Sequence, residues 1–308
     1  MECKRLRRLD LQFGNVRIRL LCLAMMLLMA CVTTSQSRET GLVLLREGVG
    51  PRAVAMGEAY TAVVGDQTAA FWNPAGIALL RKKDFLLAHH QSFQGIGQTY
   101  GGWAYGNGRR GLAVSLGVHS AGGLETRTGP STDPLGTFSV YELNGGLSYA
   151  QRITDQVTVG WSVRALQETV GPESAWGIGA DLGVLYTSSL PGLTLGAAYR
   201  NLGRMEPLDQ VRTPLPRTFR AGAAYVRGPV TGSVDYRLPK GGSSGIHLGA
   251  EYAIQQVLFL RGGYRSGHDT RDVSFGLGLR RRNWRIEYAF VPSALDLGGS
   301  HRVAVGIR

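Results

Sequence analysis

The feature that most constrains this chain is a series of segments, each about ten residues long, in which apolar side chains occupy every second position. The segments at 246–254, 273–280 and 284–290 show this alternation clearly. Successive side chains of a β-strand point to opposite faces, so the pattern predicts strands with one apolar face and one polar or small face. We therefore predict an all-β chain from residue 84 onward.

The residues between the apolar positions decide which face is buried. In a soluble sandwich they would be long, solvated side chains, but here they are largely glycine, with scattered arginine and acidic residues. Glycine in a strand is typical of places where another backbone approaches closely. Tryptophan and tyrosine on the apolar face are typical of a surface that meets lipid. The pattern therefore favours a membrane barrel with a polar lumen over a soluble sandwich.

Turn signals rich in glycine, asparagine and proline divide this region into about fourteen strands, and an even number is expected of a bacterial outer-membrane barrel. We predict a transmembrane antiparallel outer-membrane β-barrel of about 14 strands with a short N-terminal helical plug. The predicted strands start near Asp84, Gln98, Gly111, Thr137, Val157, Ala175, Leu193, Arg217, Val230, Ile246, Val257, Val273, Trp284 and His301.

Residues 1–35 have the form of a cleaved export signal. Basic residues fill the first part, and an apolar run from Leu20 to Ala30 follows that is too short to cross a bilayer as a helix. Leu28–Cys31 also approximates a lipoprotein processing site, which would make Cys31 the lipidated first residue, so the type of cleavage stays open. All the cysteines (Cys3, Cys22 and Cys31) fall in this leader, and cleavage after Cys31 would remove every thiol.

Residues 36–83 are predicted to form a plug ahead of the barrel, which spans residues 84–308. Pro51 at a first helical position and Gly65 at a C-terminal cap predict a helix over 51–64. Apolar residues cover most of the circumference of this helix and its many small residues keep it thin, so we expect it to be enclosed. The sequence 73–76 then has the residues of a type I turn, with asparagine first, proline second and glycine fourth.

Three parts of this segment (residues 51–63, Asp66 and residues 71–76) together resemble the N-terminal signature of PorV/PorQ-type outer-membrane proteins, which are similar to the FadL long-chain fatty-acid transporters. The PorV/PorQ resemblance implies an association with type IX protein secretion or surface attachment of exported proteins. The FadL-like resemblance implies the alternative, transport of hydrophobic or long-chain fatty-acid molecules across the outer membrane. The partners implied are outer-membrane lipid, together with secretion-system proteins or a hydrophobic ligand.

Two groups of residues are candidates for function. The first is the plug and turn motif, which either only bends the chain or also gates the lumen. The second is a set of basic residues predicted on the lumen face, which either hold plug and wall together as ion pairs or attract anionic groups such as fatty-acid carboxylates. The motif comprises Gly57, Asp66, Trp72, Asn73, Pro74, Ala75 and Gly76, and the basic set comprises Arg164, Arg200, Arg220, Arg237, Arg261 and Arg285.

Several other functions are not expected. The net charge is +12, but the leader carries part of it and the later arginines are scattered singly rather than in a stripe, so we predict no nucleic-acid partner. The one Gly-x-Ser-x-Gly match, Gly241–Gly245, lies in a predicted turn with no helix after it and so is not a nucleophile elbow. No His-Glu-x-x-His motif occurs, and we predict no enzymatic activity and no cofactor. His89 and His90 are adjacent in a predicted strand and would point to opposite faces, so no metal site is expected.

Overall fold

The structure is a computed structural model that describes residues 41–63, 65–92, 95–130, 133–267, 272–293 and 298–308. These residues form a closed barrel of fourteen antiparallel strands, in which each strand pairs with its neighbours in sequence and the first strand pairs with the last. The predicted fold class is confirmed. The leader predicted at 1–35 lies outside the described residues.

The strands start within two residues of the predicted positions. They are β1 (Lys83–Gln91), β2 (Gly97–Gly106), β3 (Arg110–Thr126), β4 (Gly136–Arg152), β5 (Val157–Val170), β6 (Glu173–Thr187), β7 (Leu193–Met205), β8 (Thr218–Arg227), β9 (Val230–Pro239), β10 (Gly245–Ile254), β11 (Leu258–Arg265), β12 (Val273–Arg281), β13 (Trp284–Pro292) and β14 (Gly299–Ile307).

Burial alternates along the strands and shows which face points outward. In β12, the side chains of Phe275 and Leu277 are about half exposed, whereas Ser274 in the same strand is fully buried. Trp103, Trp161, Trp176 and Trp284 are exposed on the same outer surface of the barrel as these apolar residues. An apolar outer surface with aromatic side chains is the surface that a lipid bilayer requires. No helix within the described residues is long and apolar enough to cross a membrane.

The two ends of the barrel differ in the length of their connections. The end where β2 leads into β3 has tight turns throughout, at 107–109, 153–156, 188–192, 228–229, 255–257 and 282–283. We call it the short-turn end. The opposite end, the long-loop end, carries the connections at 127–135, 206–217 and 266–272. Bacterial barrels place short turns in the periplasm and longer loops outside the cell, so we assign the long-loop end to the extracellular side.

Residues 41–63 and 65–80 lie inside the barrel and run from the long-loop end to the short-turn end. They contain the short helices α1 (Val43–Arg46), α2 (Pro51–Ala55) and α3 (Ala69–Trp72), followed by a 3-10 helix at Pro74–Leu79. Helix α2 contacts β11–β14, and the 3-10 helix contacts β2–β6 on the other side of the lumen. Because its contacts reach strands all around the wall, this segment fills the lumen; we call it the plug.

The helix predicted over 51–64 is wrong in length, since α2 ends at Ala55. Gly57 has a φ of 62° and Glu58 a φ of 60°, and two successive residues in the left-handed region end a right-handed helix. Gly65, the predicted cap, lies beyond this break. The cause is the wall: a Cβ atom on Gly249 would lie 2.5 Å from the carbonyl oxygen of Met56. The chain therefore turns where it meets the strands.

Candidate functional site: the lumen and its mouth cavity

A cavity of about 290 Å³ opens at the long-loop end of the lumen. Its walls come from the start of β8, the end of β9 and the loop at 240–244, and the plug contributes Leu45, Phe71 and Trp72. We call it the mouth cavity. Basic side chains dominate its lining: Arg46, Arg200, Arg217, Arg220, Arg237 and Lys240, against the single acid Glu58. The cavity is therefore a place of positive potential that favours an anion.

Arg200 is the most unusual of these side chains. It is 4% exposed, and its guanidinium carbon lies 3.9 Å from the centroid of the Phe71 ring and 5.6 Å from that of Trp72. Its Nε and Nη2 atoms have no hydrogen-bond partner among the described residues, and no described carboxylate pairs with it. The aromatic faces stabilise the cation in part, but the guanidinium retains donors for an incoming group.

Arg220 differs from Arg200 because carboxylates of the protein lie beside its guanidinium group. One of its guanidinium nitrogens donates to the carbonyl oxygen of Glu58 at 2.5 Å, and its Nε lies 3.6 Å from Asp235. Its guanidinium carbon also lies 5.0 Å from the centroid of the Trp72 ring. Glu58 in turn pairs with Arg265 at 2.7 Å. Glu58, the acid in the lining, is therefore already paired with arginine, and the net charge of the cavity lining remains positive.

Phe71 and Trp72 form the inner limit of the mouth cavity. Both are buried, their rings meet edge to face at 5.1 Å, and the Trp72 indole nitrogen donates to the carbonyl oxygen of Val49 at 3.0 Å. Helix α3 places the two rings side by side, and Asn73 directly follows them. The aromatic pair therefore separates the cavity from the plug residues below it.

The turn at Asn73–Gly76 is fixed to both the plug and the wall. The Asn73 side chain accepts a hydrogen bond from the Ala75 amide at 3.2 Å and donates to the carbonyl oxygens of Thr61 at 2.8 Å and Val184 at 3.1 Å. Pro74 begins the 3-10 helix, and Ala75 and Gly76 are buried against the wall. Asn73 thus caps a helix and joins it to β6 at the same time.

Asp66 is the centre of a hydrogen-bond group within the plug. Its carboxylate accepts from the Tyr60 hydroxyl at 2.5 Å, from Arg52 at 3.1 Å and from the Thr68 amide at 3.0 Å. Burial opposes ionisation of Asp66, but Arg52, Arg285 and the hydroxyl groups of Thr68 and Tyr60 outweigh it and hold the pKa of Asp66 below its ordinary value. Asp66 is therefore a carboxylate that organises the plug.

Gly57 is held against β10–β12. Its amide lies 3.2 Å from the Ser274 hydroxyl, and its carbonyl oxygen lies 2.7 Å from Nδ1 of His247. A Cβ atom at Gly57 would lie 2.5 Å from the Leu248 carbonyl oxygen and 2.7 Å from the Tyr264 backbone. The close approach of backbone to backbone explains why glycine stands here.

The six arginines predicted on the lumen face do not form one site. Arg200, Arg220 and Arg237 border the mouth cavity. The other three are engaged in the wall and lie outside the cavity lining. Arg164 pairs with Asp181, Arg261 pairs with Glu251 at 2.6 Å and Glu287 at 3.3 Å, and Arg285 pairs with Asp84 at 3.0 Å.

Sequence reasoning missed Phe71 as the partner of Arg200, and it missed Arg46, Arg217 and Lys240 in the cavity lining. It also missed Arg52, which joins the plug to the wall by donating to Glu251 at 2.7 and 2.8 Å. Arg52 lies in the motif at 51–63 and could have been noticed as the one basic side chain of that segment of small residues. His89 is exposed and His90 is buried, so their rings are on opposite faces of β1.

The structure is similar to solved structures of channels and transporters. It matches the monoaromatic hydrocarbon channel CymD with a TM-score of 0.66 and 14% identity, over 84% of this chain and 96% of that chain. It matches the Pseudomonas putida toluene transporter TodX with a TM-score of 0.63 and 14% identity, over 89% and 98%. A FadL homologue of Pseudomonas aeruginosa matches with a TM-score of 0.55 and 12% identity, over 89% and 98%.

No family model and no curated protein matches the sequence. At the identities given above, the likeness to solved structures shows the fold. This chain therefore shares the barrel fold of these structures. Its closed barrel with an apolar outer surface points to the outer membrane.

Proposed function

We propose that this protein allows amphipathic molecules with an apolar body and an anionic group, such as long-chain fatty acids, to cross the outer membrane. The observation that carries the proposal is Arg200, a buried guanidinium that no described carboxylate pairs with and that faces a basic cavity at the extracellular mouth. A carboxylate entering this cavity gains charge-assisted hydrogen bonds without displacing a protein acid. The likeness to a hydrocarbon channel and a toluene transporter supports an apolar body for the transported molecule.

The polar lining of the mouth cavity fits the anionic group rather than the apolar body. Phe71 and Trp72 close the cavity on its inner side, and the plug below them is hydrogen bonded to the wall through Asn73. Passage therefore requires the plug to rearrange or a lateral gap to open in the wall. In this proposal Arg200 is a binding residue for the head group, and the turn at Asn73 is the gate.

Uptake of a labelled long-chain fatty acid by cells that lack their own fatty-acid channel tests the function. Cells producing the protein should take up the acid faster than cells without it, and equal rates would contradict transport. Arg200→Gln should reduce uptake of the acid about tenfold, since it removes a hydrogen bond to a charged group. Uptake of the corresponding methyl ester should not change.

The matched control is Arg227→Gln, which removes an exposed arginine at the short-turn end of β8. It should take up both molecules like the wild type. Immunoblots of outer-membrane fractions must show equal amounts of each variant. If the Arg200 and Arg227 variants lose acid uptake to the same extent, a specific role for the mouth cavity is wrong.

The second proposal is an association with type IX secretion or surface attachment of exported proteins. It rests on the resemblance of residues 51–63, Asp66 and residues 71–76 to PorV/PorQ-type proteins, and the compared structures give it no support. Purification from detergent-solubilised outer membrane separates the two proposals, because bound secretion components favour the second and a bound fatty acid favours the first.

A further inference from the structure

An apolar groove of about 630 Å³ crosses the outer surface of the barrel over β4–β7. Small residues in neighbouring strands, Gly145, Ala165 and Ala180, line it. It is bordered by larger apolar side chains, of which Leu147 and Ile178 are more than half exposed. We call this feature the wall groove. The wall groove faces the bilayer, so it is in contact with lipid rather than with water.

The groove continues toward the long-loop end into a second depression of about 370 Å³, which shares Ala165 and Ile178 with it. The far side of this depression is lined by Trp176, Arg204 and Arg212, with Glu206 beside them. Arg204 pairs with the outward-facing Ile178 across β6 and β7 and is itself exposed. An irregularity between Ala180 and Leu182 shifts the register of these two strands beside the groove.

Both arginines at this edge have free guanidinium groups. The guanidinium group of neither Arg204 nor Arg212 forms a hydrogen bond or an ion pair with any residue that the structure describes. An unpaired arginine beside an apolar, lipid-facing surface is costly unless it reaches an anionic group at the interface. Phosphate groups of lipid head groups are the anions available there, and arginine binds phosphate in a bidentate geometry.

We propose that the wall groove binds one acyl chain of a phosphorylated glycolipid of the outer leaflet, with the phosphate at Arg204 and Arg212. The apolar groove meets the basic edge without a break, which matches the order of acyl chain and phosphate in such a lipid. The assignment of the long-loop end to the extracellular side places this edge in the outer leaflet. This site is on the opposite side of the wall from the lumen, so the proposal does not depend on transport.

Native mass spectrometry of the full-length barrel in mild detergent, titrated with purified lipid A, tests the site. The Arg204→Gln/Arg212→Gln double variant should bind lipid A more weakly than the wild type, by about fivefold for each arginine removed. Arg227→Gln is the control, because Arg227 is an exposed arginine at the other end of the barrel. Equal binding by the double variant and the control would overturn the proposal.

A second pair of variants tests the groove without changing charge. A Cβ atom on Gly145 would meet no heavy atom within 4 Å, and the same is true of Gly262 on the outer face of β11. Gly145→Leu should therefore fold, fill the groove and weaken lipid A binding, whereas Gly262→Leu should bind like the wild type. Unchanged binding by Gly145→Leu would overturn the assignment of the acyl chain. Phosphatidylglycerol binding as tightly as lipid A would overturn the assignment to a glycolipid.

Discussion

Arg200 and Arg261 show two ways in which an arginine can be buried in the same lumen. Arg261 is held by the carboxylates of Glu251 and Glu287, whereas Arg200 lies on the ring of Phe71 with no described acid beside it. Removing a charge from an ion pair leaves a buried carboxylate uncompensated, but removing an unpaired charge leaves nothing behind. The two side chains should therefore respond oppositely to substitution.

We predict that Arg200→Met leaves the free energy of unfolding unchanged or raises it. Arg261→Met should lower it by about 3 kcal/mol or more, because Glu287 loses its partner in a buried environment. Urea unfolding of the barrel in lipid vesicles measures both. An Arg200→Met variant as unstable as Arg261→Met would show that Arg200 has a structural role.

Gly57 gives a second prediction at the scale of one residue. Gly57→Ala places a methyl group 2.5 Å from the Leu248 carbonyl oxygen and forces a φ of 62° on alanine. The conformational strain alone costs about 1–3 kcal/mol, and the collision adds to it. Hydrogen exchange of residues 51–63 should be faster in Gly57→Ala than in the wild type. Gly262→Ala, where a Cβ atom meets nothing, should leave that exchange unchanged.

The position of Arg200 and Arg261 on the lumen face could be predicted from the alternation of the sequence, but the residues that each of them contacts could not. Arg200 and Arg261 occupy equivalent positions in the sequence pattern. What separates them is whether a cross-strand neighbour is acidic: Arg261 lies opposite Glu251 in the register of β10 and β11, whereas Arg200 lies opposite Thr218 in β8. That register depends on turn geometry and plug contacts far from either arginine.

At the scale of elements, the plug is held by hydrogen bonds and ion pairs with the wall rather than by long helices. Each helix has six residues or fewer, which is too short for a helix to be stable by itself in water. Contacts with the wall must therefore fix its conformation, through Glu251 to Arg52, Asp235 to Thr61 and Val184 to Asn73. Local sequence signals predicted a helix that continues through Gly57. They carry no information about Gly249 and Gly263 of the wall, which lie against the backbone of Met56 and Gly57 and leave no room for the helix to continue.

The pH dependence of plug stability follows from Asp66. The pKa of this carboxyl is lowered in the folded protein, so its contribution is complete above the ordinary carboxyl pKa and is lost only as the pH falls through the lowered value. Hydrogen exchange of residues 60–72, corrected for the intrinsic pH dependence, should thus stay slow from pH 7 to about pH 4. Asp66→Asn should exchange faster already at pH 7. Loss of protection in the wild type near pH 6 would contradict this account.

At the scale of the whole molecule, the barrel was predictable because one physical rule acts on every strand. Lipid outside and a polar lumen inside impose the same alternation throughout, and the starts predicted at Val157, Leu193 and Val230 coincide with the observed ones. The mouth cavity was not predictable in the same way. It is formed by parts of β7, β8, β9 and the plug that are far apart in sequence, and only the closed barrel brings them together.

The closed hydrogen-bonded wall predicts a barrel that resists detergent. Without heating, the purified protein should migrate faster on an SDS gel than after boiling, since the intact barrel is compact and binds less detergent. Recovery of the protein from the soluble periplasmic fraction, or identical migration before and after boiling, would contradict a membrane barrel.

The pairing of β1 with β14 sets the order in which the molecule can be assembled. Phe85 lies opposite Ile307, so the strand that directly follows the plug completes the wall only when the last strand has been made. The plug precedes β1 in the chain, yet it contacts strands all around the lumen. It must therefore occupy the interior while the seam between the two terminal strands is still open, and the closing of that seam traps it. The plug is thus fully enclosed only when the last strand is in place, and a delay in forming β14 would leave it uncovered along the open seam.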